Sequence, residues 1–412
     1  MAIKILRINT KYKGSGAEKT AKTLNRALNE LENIKSFFAY ARGKKNNKIN
    51  FLRFGFPHEP YIHGFLSRVF GIEGYGSHFS GQRLLKYIKK NNFDIVHLHN
   101  IHSFCLSFSF FKKLKQLNIP VVWTFHDLWP ITGSCFYPNN CKKWQTGCKN
   151  CPDKKRPPRS LISSSSFMWH KKRNVFSKSW SLKIVTPSKW LKKQVQKSFF
   201  KNKQIKVIPN AINTDLFKPR NKERLKKEFN IPQNKKVVLF VASDLSKKRK
   251  GIKYFLNSLP LIKAKNWMVL TIGKKINKNK FPKNISLIQK GHIGDRKKLA
   301  KLYSLSDLFA ATPLAEIFGR TTTEALASGV PVVGFKTGGV LEQVEKDSGI
   351  LVNKKDTPAL ASAISELLNN ENKRKIISKK ARKKAIQNYS IPKFRDNYLN
   401  FYKKIIKNEE EK

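Results

Sequence analysis

The chain has 412 residues, 40% of them hydrophobic. That is enough to bury more than one core, so two domains are the default expectation. Its 84 Lys and Arg against 26 Asp and Glu give a net charge of +58, which calls for anionic partners: phosphate-bearing substrates, an anionic membrane surface or nucleic acid. The lysines are scattered along the whole length and the aromatic signatures of RNA-recognition modules are absent, which disfavours nucleic acid and leaves a lysine-biased composition as the plain alternative. No stretch approaches the ~20 apolar residues that span a bilayer. M-A-I-K-I-L-R-I-N-T reads as a first strand, not a signal peptide, so a cytoplasmic protein is expected.

From the N-terminus, Ile3 to Ile8 leads into the glycine loop Lys13–Glu18, followed by helical periodicity from Lys22 to Leu31. Glycines such as Gly14 and Gly16 let backbone amides approach a phosphate or sugar, although the full G-x-G-x-x-G spacing is missing. Asn46 to Ser80 is irregular, a loop with a short helix, and carries Tyr61, His63, Arg68 and Tyr75 as acceptor-pocket candidates or ordinary surface residues. Gln82 to Lys90 is helical and feeds the strand D-I-V-H-L-H-N (Asp94–Asn100). Phe104 to Leu117 is apolar and basic at helical spacing, either a membrane-facing surface or a helix packed on the sheet. Val121 to Phe125 is the next strand, and His126-Asp127 stands at its carboxyl end, where ligands bind in parallel sheets.

Cys135, Cys141, Cys148 and Cys151 follow, spaced C-x5-C-x6-C-x2-C. In a cytoplasmic protein such a cluster reads as a structural zinc knuckle or as free or redox-labile thiols, and the two readings stay open. Ser160 to Ser166 reads as a polar loop after Pro157-Pro158. Trp180–Thr186 and Ile205–Ile208 are further strands around a helix capped by Ser188, and P-N-A-I-N-T-D from Pro209 is a natural linker. The domain boundary is placed there.

The second series begins with the strand Val237–Ala242 and a loop holding Lys247, Lys248, Arg249 and Lys250 before the helix Ile252–Leu259. Cations at such a junction suit a pyrophosphate. Strands at Trp267–Ile272, Ile285–Ile288, Asp307–Ala311 and Pro331–Phe335 follow, with helices at Asp295–Tyr303, Pro358–Asn369, Asn372–Tyr389 and Ile391–Lys407. Between the last two strands lies E-I-F-G-R-T-T-T-E. Glu316 falls in a strand-to-helix loop and Glu324 more than one turn inside a helix that starts near Gly319–Thr321 and ends at Ser328-Gly329. Amides and a helix dipole favour an anion beside two carboxylates that suit hydroxyl donors, and a sugar nucleotide carries both.

Glu316-x7-Glu324 with F-G between, the following E-A-L-A-S-G-V-P-V-V and Thr337-Gly338-Gly339 resemble glycosyltransferase family 4. Gly16-Ala17-Glu18, P-S-K-W-L, V-I-P-N-A-I-N and Arg249-Lys250-Gly251 support the resemblance, which covers essentially the whole chain; T-F-H-D-L-W-P-I-T-G-S-C with W-Q-T-G-C-K-N-C-P resembles the branch of colanic acid and exopolysaccharide assembly. The resemblance implies an α/β GT-B fold. Two Rossmann-like domains would face a cleft: an acceptor domain over 1–209, a donor domain over 210–390, and a C-terminal helix, 391–412, returning to the first. It implies a retaining hexosyl- or related transferase that uses a UDP- or GDP-sugar, needs no metal for catalysis, and takes a saccharide or polyprenyl-diphosphate-linked acceptor at the inner membrane face.

The implied roles are specific. Glu324 would hold the ribose hydroxyls and Glu316 those of the donor sugar, with the amides of Ile317, Phe318 and Gly319 close to sugar and phosphate. Lys250 with Arg249 would neutralise the diphosphate, Gly16 would approach phosphates or acceptor, and His126 would act near the reacting carbon. Two positions depart from the pattern: Asp244 stands where many members have arginine, and Phe136 where this branch often has histidine. A basic membrane- or nucleic-acid-binding protein on an inactive transferase scaffold is the rival reading.

Overall fold

In the computed structural model, residues 2–14, 16–47, 49–152, 160–177, 180–245, 247–274, 277, 279 and 281–411 are described. Pro157 and Pro158 lie outside them. The chain divides into two compact units, Met1–Ile208 with Phe394–Lys412, and Pro209–Lys393.

The first unit is built on a seven-stranded sheet of order β3-β2-β1-β4-β5-β6-β7. Its strands are β1 (Ile3–Lys11), β2 (Ile34–Arg42), β3 (Phe51–Arg53), β4 (Ile95–Leu98), β5 (Val121–Thr124), β6 (Leu182–Thr186) and β7 (Ile205–Val207), and every pairing is parallel. β4 and β5 are buried along their whole lengths, as strands covered on both faces must be. The helix Gly16–Leu28 buries Ala17, Ala21, Leu24, Ala27 and Leu28 on the sheet. Phe108–Lys115 turns Phe108, Phe110, Phe111 and Leu114 inward, so the apolar side of this helix is core, not membrane face. The segment read as a polar loop at Ser160–Ser166 becomes helical at Ser165, the start of a helix running to Phe176. The C-terminal helix Ile391–Glu410 buries Phe394, Tyr398, Phe401, Tyr402 and Ile405.

The second unit carries a six-stranded parallel sheet of order β10-β9-β8-β11-β12-β13: β8 (Lys236–Val241), β9 (Trp267–Ile272), β10 (Ser286–Gln289), β11 (Leu308–Ala311), β12 (Val332–Phe335) and β13 (Gly349–Val352). Alternation along β8 builds two cores. Val237 and Leu239 pack with Leu299, Leu302, Tyr303, Ala325 and Ala381; Val238 and Phe240 pack with Phe255, Leu360, Ile364 and Leu367. In both sheets the strand order reverses beside the unit's first strand, β1 next to β4 and β8 next to β11, which opens a crevice at the carboxyl ends where ligands of open parallel sheets bind.

Candidate active site

In the second unit three loops meet at the carboxyl ends of β8, β11 and β12. The first carries Arg249 and Lys250 in a single helical turn closed by Gly251. Gly251 has φ +69°, and a Cβ there would stand 1.8 Å from the Thr312 carbonyl at the end of β11, so only glycine lets this loop lie against the next. The second loop runs from Thr312 to Gly319 and holds Glu316. Its backbone is fixed from both sides: Leu314 N–H donates to the Arg249 carbonyl at 2.8 Å, and Gly339 N–H donates to the Glu316 carbonyl at 3.0 Å.

Glu316 is thereby set against cations. Its Oε2 accepts from Lys250 Nζ at 2.8 Å and from Arg249 Nη1 at 3.3 Å, and Arg249 Nη1 also donates to the Ala315 carbonyl at 2.8 Å. Glu324 lies on the helix Arg320–Ala327 and is 3% exposed. Its Oε1 accepts from Arg296 Nη1 at 2.8 Å, with Arg320 Nε one helical turn back at 3.4 Å, too long for more than an ion pair. Tyr303 lies in the core alongside; burial first, then the Glu324 carboxylate, push its phenol well above the ordinary range. Ile317 is buried, Phe318 packs its ring on Tyr389 with centroids 5.8 Å apart, and Gly319 exchanges two hydrogen bonds with Gln343: its N–H donates to Oε1 at 3.0 Å and its carbonyl accepts from Nε2 at 3.2 Å. The Gly319 amide is thus committed to Gln343 in this structure, and reaching a sugar or phosphate requires that bond to open.

The first unit holds Gly16 and His126. Gly16 opens its helix, and a Cβ there would meet no atom within 4 Å, so packing does not demand a glycine. His126 follows β5 and Nε2 stands 3.1 Å from Nδ1 of His99, which follows β4. Burial pushes His126 down to about 4 and His99 well below the usual histidine range, so both are neutral and one ring donates to the other. Asp127 does not serve His126: its Oδ2 is 2.9 Å from His102 Nε2, and its Oδ1 accepts from Trp129 N–H at 2.9 Å. Burial alone would lower the His102 pKa, but the Asp127 charge and hydrogen bond, with Glu73, raise it. Beneath them His97 joins the Tyr402 hydroxyl at 2.6 Å and Thr124 Oγ1 at 2.8 Å.

Sequence reasoning named neither Arg296 as the partner of Glu324 nor His99, His102 and Glu73 around His126. The D-I-V-H-L-H-N run held the signal for His99, a polar residue at a strand's carboxyl end beside β5. Among the described residues no three or more His, Cys, Asp or Glu side chains are grouped to hold a metal ion, and Cys135, Cys141, Cys148 and Cys151 form no disulfide. Cys148 adopts φ +55° and its Sγ accepts from Gly133 N–H at 3.2 Å, while burial, then the neighbouring Cys135 and Cys141, push its thiol up to about 11.

Two parallel doubly wound sheets, with carboxylates and cations paired at the switch point of the second, define a GT-B-type fold. Residues 14–216 match the family model Glycosyltransferase Family 4, and residues 221–384 match Glycosyl transferases group 1. The chain belongs to this family of glycosyltransferases. It is 24% identical to the putative colanic acid biosynthesis glycosyl transferase WcaC of Escherichia coli, over 97% of this chain and 100% of that one. It is 26% identical to N-acetyl-alpha-D-glucosaminyl L-malate synthase of Bacillus anthracis, over 50% of this chain and 56% of that one. Among solved structures, sucrose-phosphate synthase of Thermosynechococcus elongatus matches with a TM-score of 0.73 at 17% identity, covering 98% of this chain and 99% of that one. HepE of Anabaena, in complex with UDP and glucose, matches with a TM-score of 0.66 at 16% identity over 97% and 99%.

Proposed function

We propose that this glycosyltransferase moves a sugar, with retention of configuration, from a nucleoside diphosphate donor to a saccharide acceptor carried on a lipid, in the assembly of a cell-surface polysaccharide at the inner membrane face. The observation that carries the donor assignment is Glu316 held by Lys250 and Arg249 at the carboxyl ends of β8 and β11. When a diphosphate arrives, the two cations have a stronger anion to bind, and the released carboxylate becomes an acceptor for sugar hydroxyls. Glu324, one turn inside its helix, takes the ribose hydroxyls, displacing or sharing Arg296. Arg249 supplies the second cation that Asp244 does not.

The chemistry follows from those positions. The bond from the anomeric carbon to the diphosphate oxygen breaks as the acceptor hydroxyl adds on the same face. The departing phosphate oxygen takes the hydroxyl proton, and Lys250 and Arg249 stabilise the charge that develops on the leaving group. No protein nucleophile is required. His126, neutral and fixed by His99, positions the donor sugar near the reacting carbon, and Gly16 leaves room for acceptor or phosphate. The second unit is thus the donor domain and the first the acceptor domain. The name of the Escherichia coli relative supports the polysaccharide setting, and the UDP and glucose held by HepE make UDP-sugars the first donors to test, with GDP-sugars next.

The test is a thermal-stabilisation screen of UDP-, GDP- and ADP-sugars, followed by transfer or hydrolysis assays on the best donor. Glu324→Gln and Lys250→Ala should each remove most of the activity. Full activity in both would sink the site assignment.

A further inference from the structure

The helix Glu59–Phe70 is amphipathic the wrong way round. A surface helix ordinarily turns its apolar stripe to the core and its polar face to water. This one buries Glu59, His63, Gly64 and Ser67, and leaves Tyr61 80%, Ile62 57% and Phe65 60% exposed. The buried side is fully provided for. The Glu59 carboxylate accepts the N–H groups of Phe79 at 2.8 Å and Ser80 at 3.0 Å, and the Ser80 hydroxyl, at the start of the helix His78–Asn91. His63 Nε2 accepts from Gly74 N–H at 2.7 Å, and its Nδ1 meets Ser77 Oγ at 3.1 Å. The fold is therefore anchored through the polar face, and the outward apolar residues are surplus to it.

That surface continues beyond the helix. Leu161 and Ile162, 81% and 53% exposed, are tied to its C-terminal end, their N–H groups donating to the carbonyls of Arg68 at 2.8 Å and Val69 at 3.0 Å. At the other end Phe79, whose N–H binds Glu59, is also exposed. Single exposed apolar residues need no explanation, but a contiguous group of large ones marks an interaction surface.

Charge selects the partner. From residue 51 to 93 the only acidic residues are Glu59 and Glu73, and both are buried, Glu73 against Trp129 Nε1 at 2.8 Å. The exposed charges there are all positive: Arg68 on the helix itself, and Arg83, Lys86, Lys89 and Lys90 on the next. An apolar surface in a stretch whose exposed charges are all cations suits the interface of an anionic lipid leaflet, where each Lys or Arg contributes ~1 kcal/mol. A second copy of the chain would bring the same cations against themselves. No helix among the described residues is long and apolar enough to cross a membrane, so attachment through this face is interfacial.

We infer that the outer face of the helix Glu59–Phe70, with Leu161 and Ile162, is the surface on which this enzyme docks to an anionic lipid bilayer. The inference rests on the proposed membrane-face setting and names the surface responsible for it. The full chain should co-sediment with equimolar phosphatidylcholine–phosphatidylglycerol vesicles and much less with phosphatidylcholine alone. The double variant Phe65→Ser, Leu161→Ser should bind the anionic vesicles about 100-fold more weakly, about tenfold for each side chain withdrawn from the lipid. Lys89→Gln should cost about fivefold. Circular dichroism should be unchanged, because these side chains are exposed.

Equal binding to both kinds of vesicle, or wild-type binding by the double variant, would overturn the inference. So would loss of binding in Ile376→Ser, an exposed apolar position on the basic helix Glu371–Tyr389 of the second unit. A concentration-dependent dimer dissolved by the double variant would replace the membrane with a second copy. Stabilisation by sugar nucleotides in vesicle-free buffer separates the two proposals: the double variant should match wild type there, and a protein that binds vesicles but no sugar nucleotide sinks the proposed function alone.

Discussion

Replacing Glu316 with Gln should make the protein bind a bare nucleoside diphosphate more tightly while it turns over a nucleotide sugar more slowly. Without ligand, the Glu316 carboxylate holds Lys250 at 2.8 Å and Arg249 at 3.3 Å, with side-chain exposures of 12%, 22% and 28% for the three. Such partly screened pairs are worth about 1–3 kcal/mol, well below the Coulomb energy of a dry pair. A diphosphate must draw the cations away from the carboxylate, so part of its binding energy is spent on that exchange. Glutamine keeps the shape and cannot hold the cations as strongly. The Gly339 and Arg249 hydrogen bonds to this loop run through the carbonyls of Glu316 and Ala315 and survive the change. Relief of about 1.4 kcal/mol gives a tenfold tighter Kd for UDP or GDP. The sugar loses a charged acceptor for its hydroxyls, worth about 1.5–3 kcal/mol, so turnover should fall by roughly 10- to 100-fold. Calorimetry with the diphosphate and a coupled assay of diphosphate release read the two effects separately, at one fixed ionic strength. A diphosphate Kd that stays the same or weakens in Glu316→Gln would refute the competition between Glu316 and phosphate for Lys250.

Gly338→Ala should lower both donor affinity and melting temperature, since φ is +50° and the new Cβ would stand 1.9 Å from the Glu316 carbonyl; an alanine variant with normal donor affinity would show that this loop does not place Glu316. Lys172→Met should destabilise the first unit by about 3 kcal/mol, read by chemical denaturation. Its Nζ is buried, lies 3.5 Å from the centre of the Trp129 ring and donates to the carbonyls of Trp129, Thr132 and Gly133 at 2.8–3.1 Å. Burial pushes Lys172 down to about 7, yet three carbonyl acceptors require three N–H donors, which only the ammonium form has. Acid should destabilise the fold through His63, which burial pushes down to about 4. The unfolded chain takes up a proton below about 6.5 and the folded one does not until about 4, so stability falls across that window by at most about 3 kcal/mol and then levels off. Melting curves against pH should be shallower between those values in His63→Asn by one proton's contribution, with His97, His99 and His126 supplying the slope that remains.

The elements that could be read from sequence are those whose burial shows as a run. V-V-L-F-V-A, W-M-V-L-T-I and P-V-V-G-F are strands because apolar residues without a gap fit only a sheet covered on both faces. β2 escaped because I-K-S-F-F-A-Y-A-R mixes alternation with a buried run and follows a helix whose apolar period was read on to Leu31, three residues past its observed end at Leu28. The helix Glu59–Phe70 read as irregular for a different reason. Periodicity locates an apolar stripe but not the side on which the core lies, and here the stripe faces out. Glu316, Glu324, Arg249 and Lys250 stood out as motifs, yet their pairing was beyond the sequence. Lys250 reaches Glu316 across 66 residues and Arg296 reaches Glu324 across 28; the first contact depends on β8 lying beside β11, the second on the helices Arg296–Ser304 and Arg320–Ala327 packing together.

The bulk charge and the site charge have separate tasks. A net +58 draws any polyanion, and at 0.1 M salt that attraction is largely screened beyond about 10 Å. It cannot by itself choose a sugar nucleotide. In the proposed donor site each carboxylate is flanked by two cations, Glu316 by Lys250 and Arg249, and Glu324 by Arg296 and Arg320. Four cations against two carboxylates leave a positive surplus that matches a diphosphate, while the carboxylates keep that surplus from accepting anions that lack hydroxyls to offer in return. A polyanion of phosphates alone satisfies the cations and leaves Glu316 and Glu324 facing it. A sugar nucleotide would satisfy both sets, so in the proposed function the lysine-rich surface sets how strongly anions are drawn while the two glutamates set which anion stays.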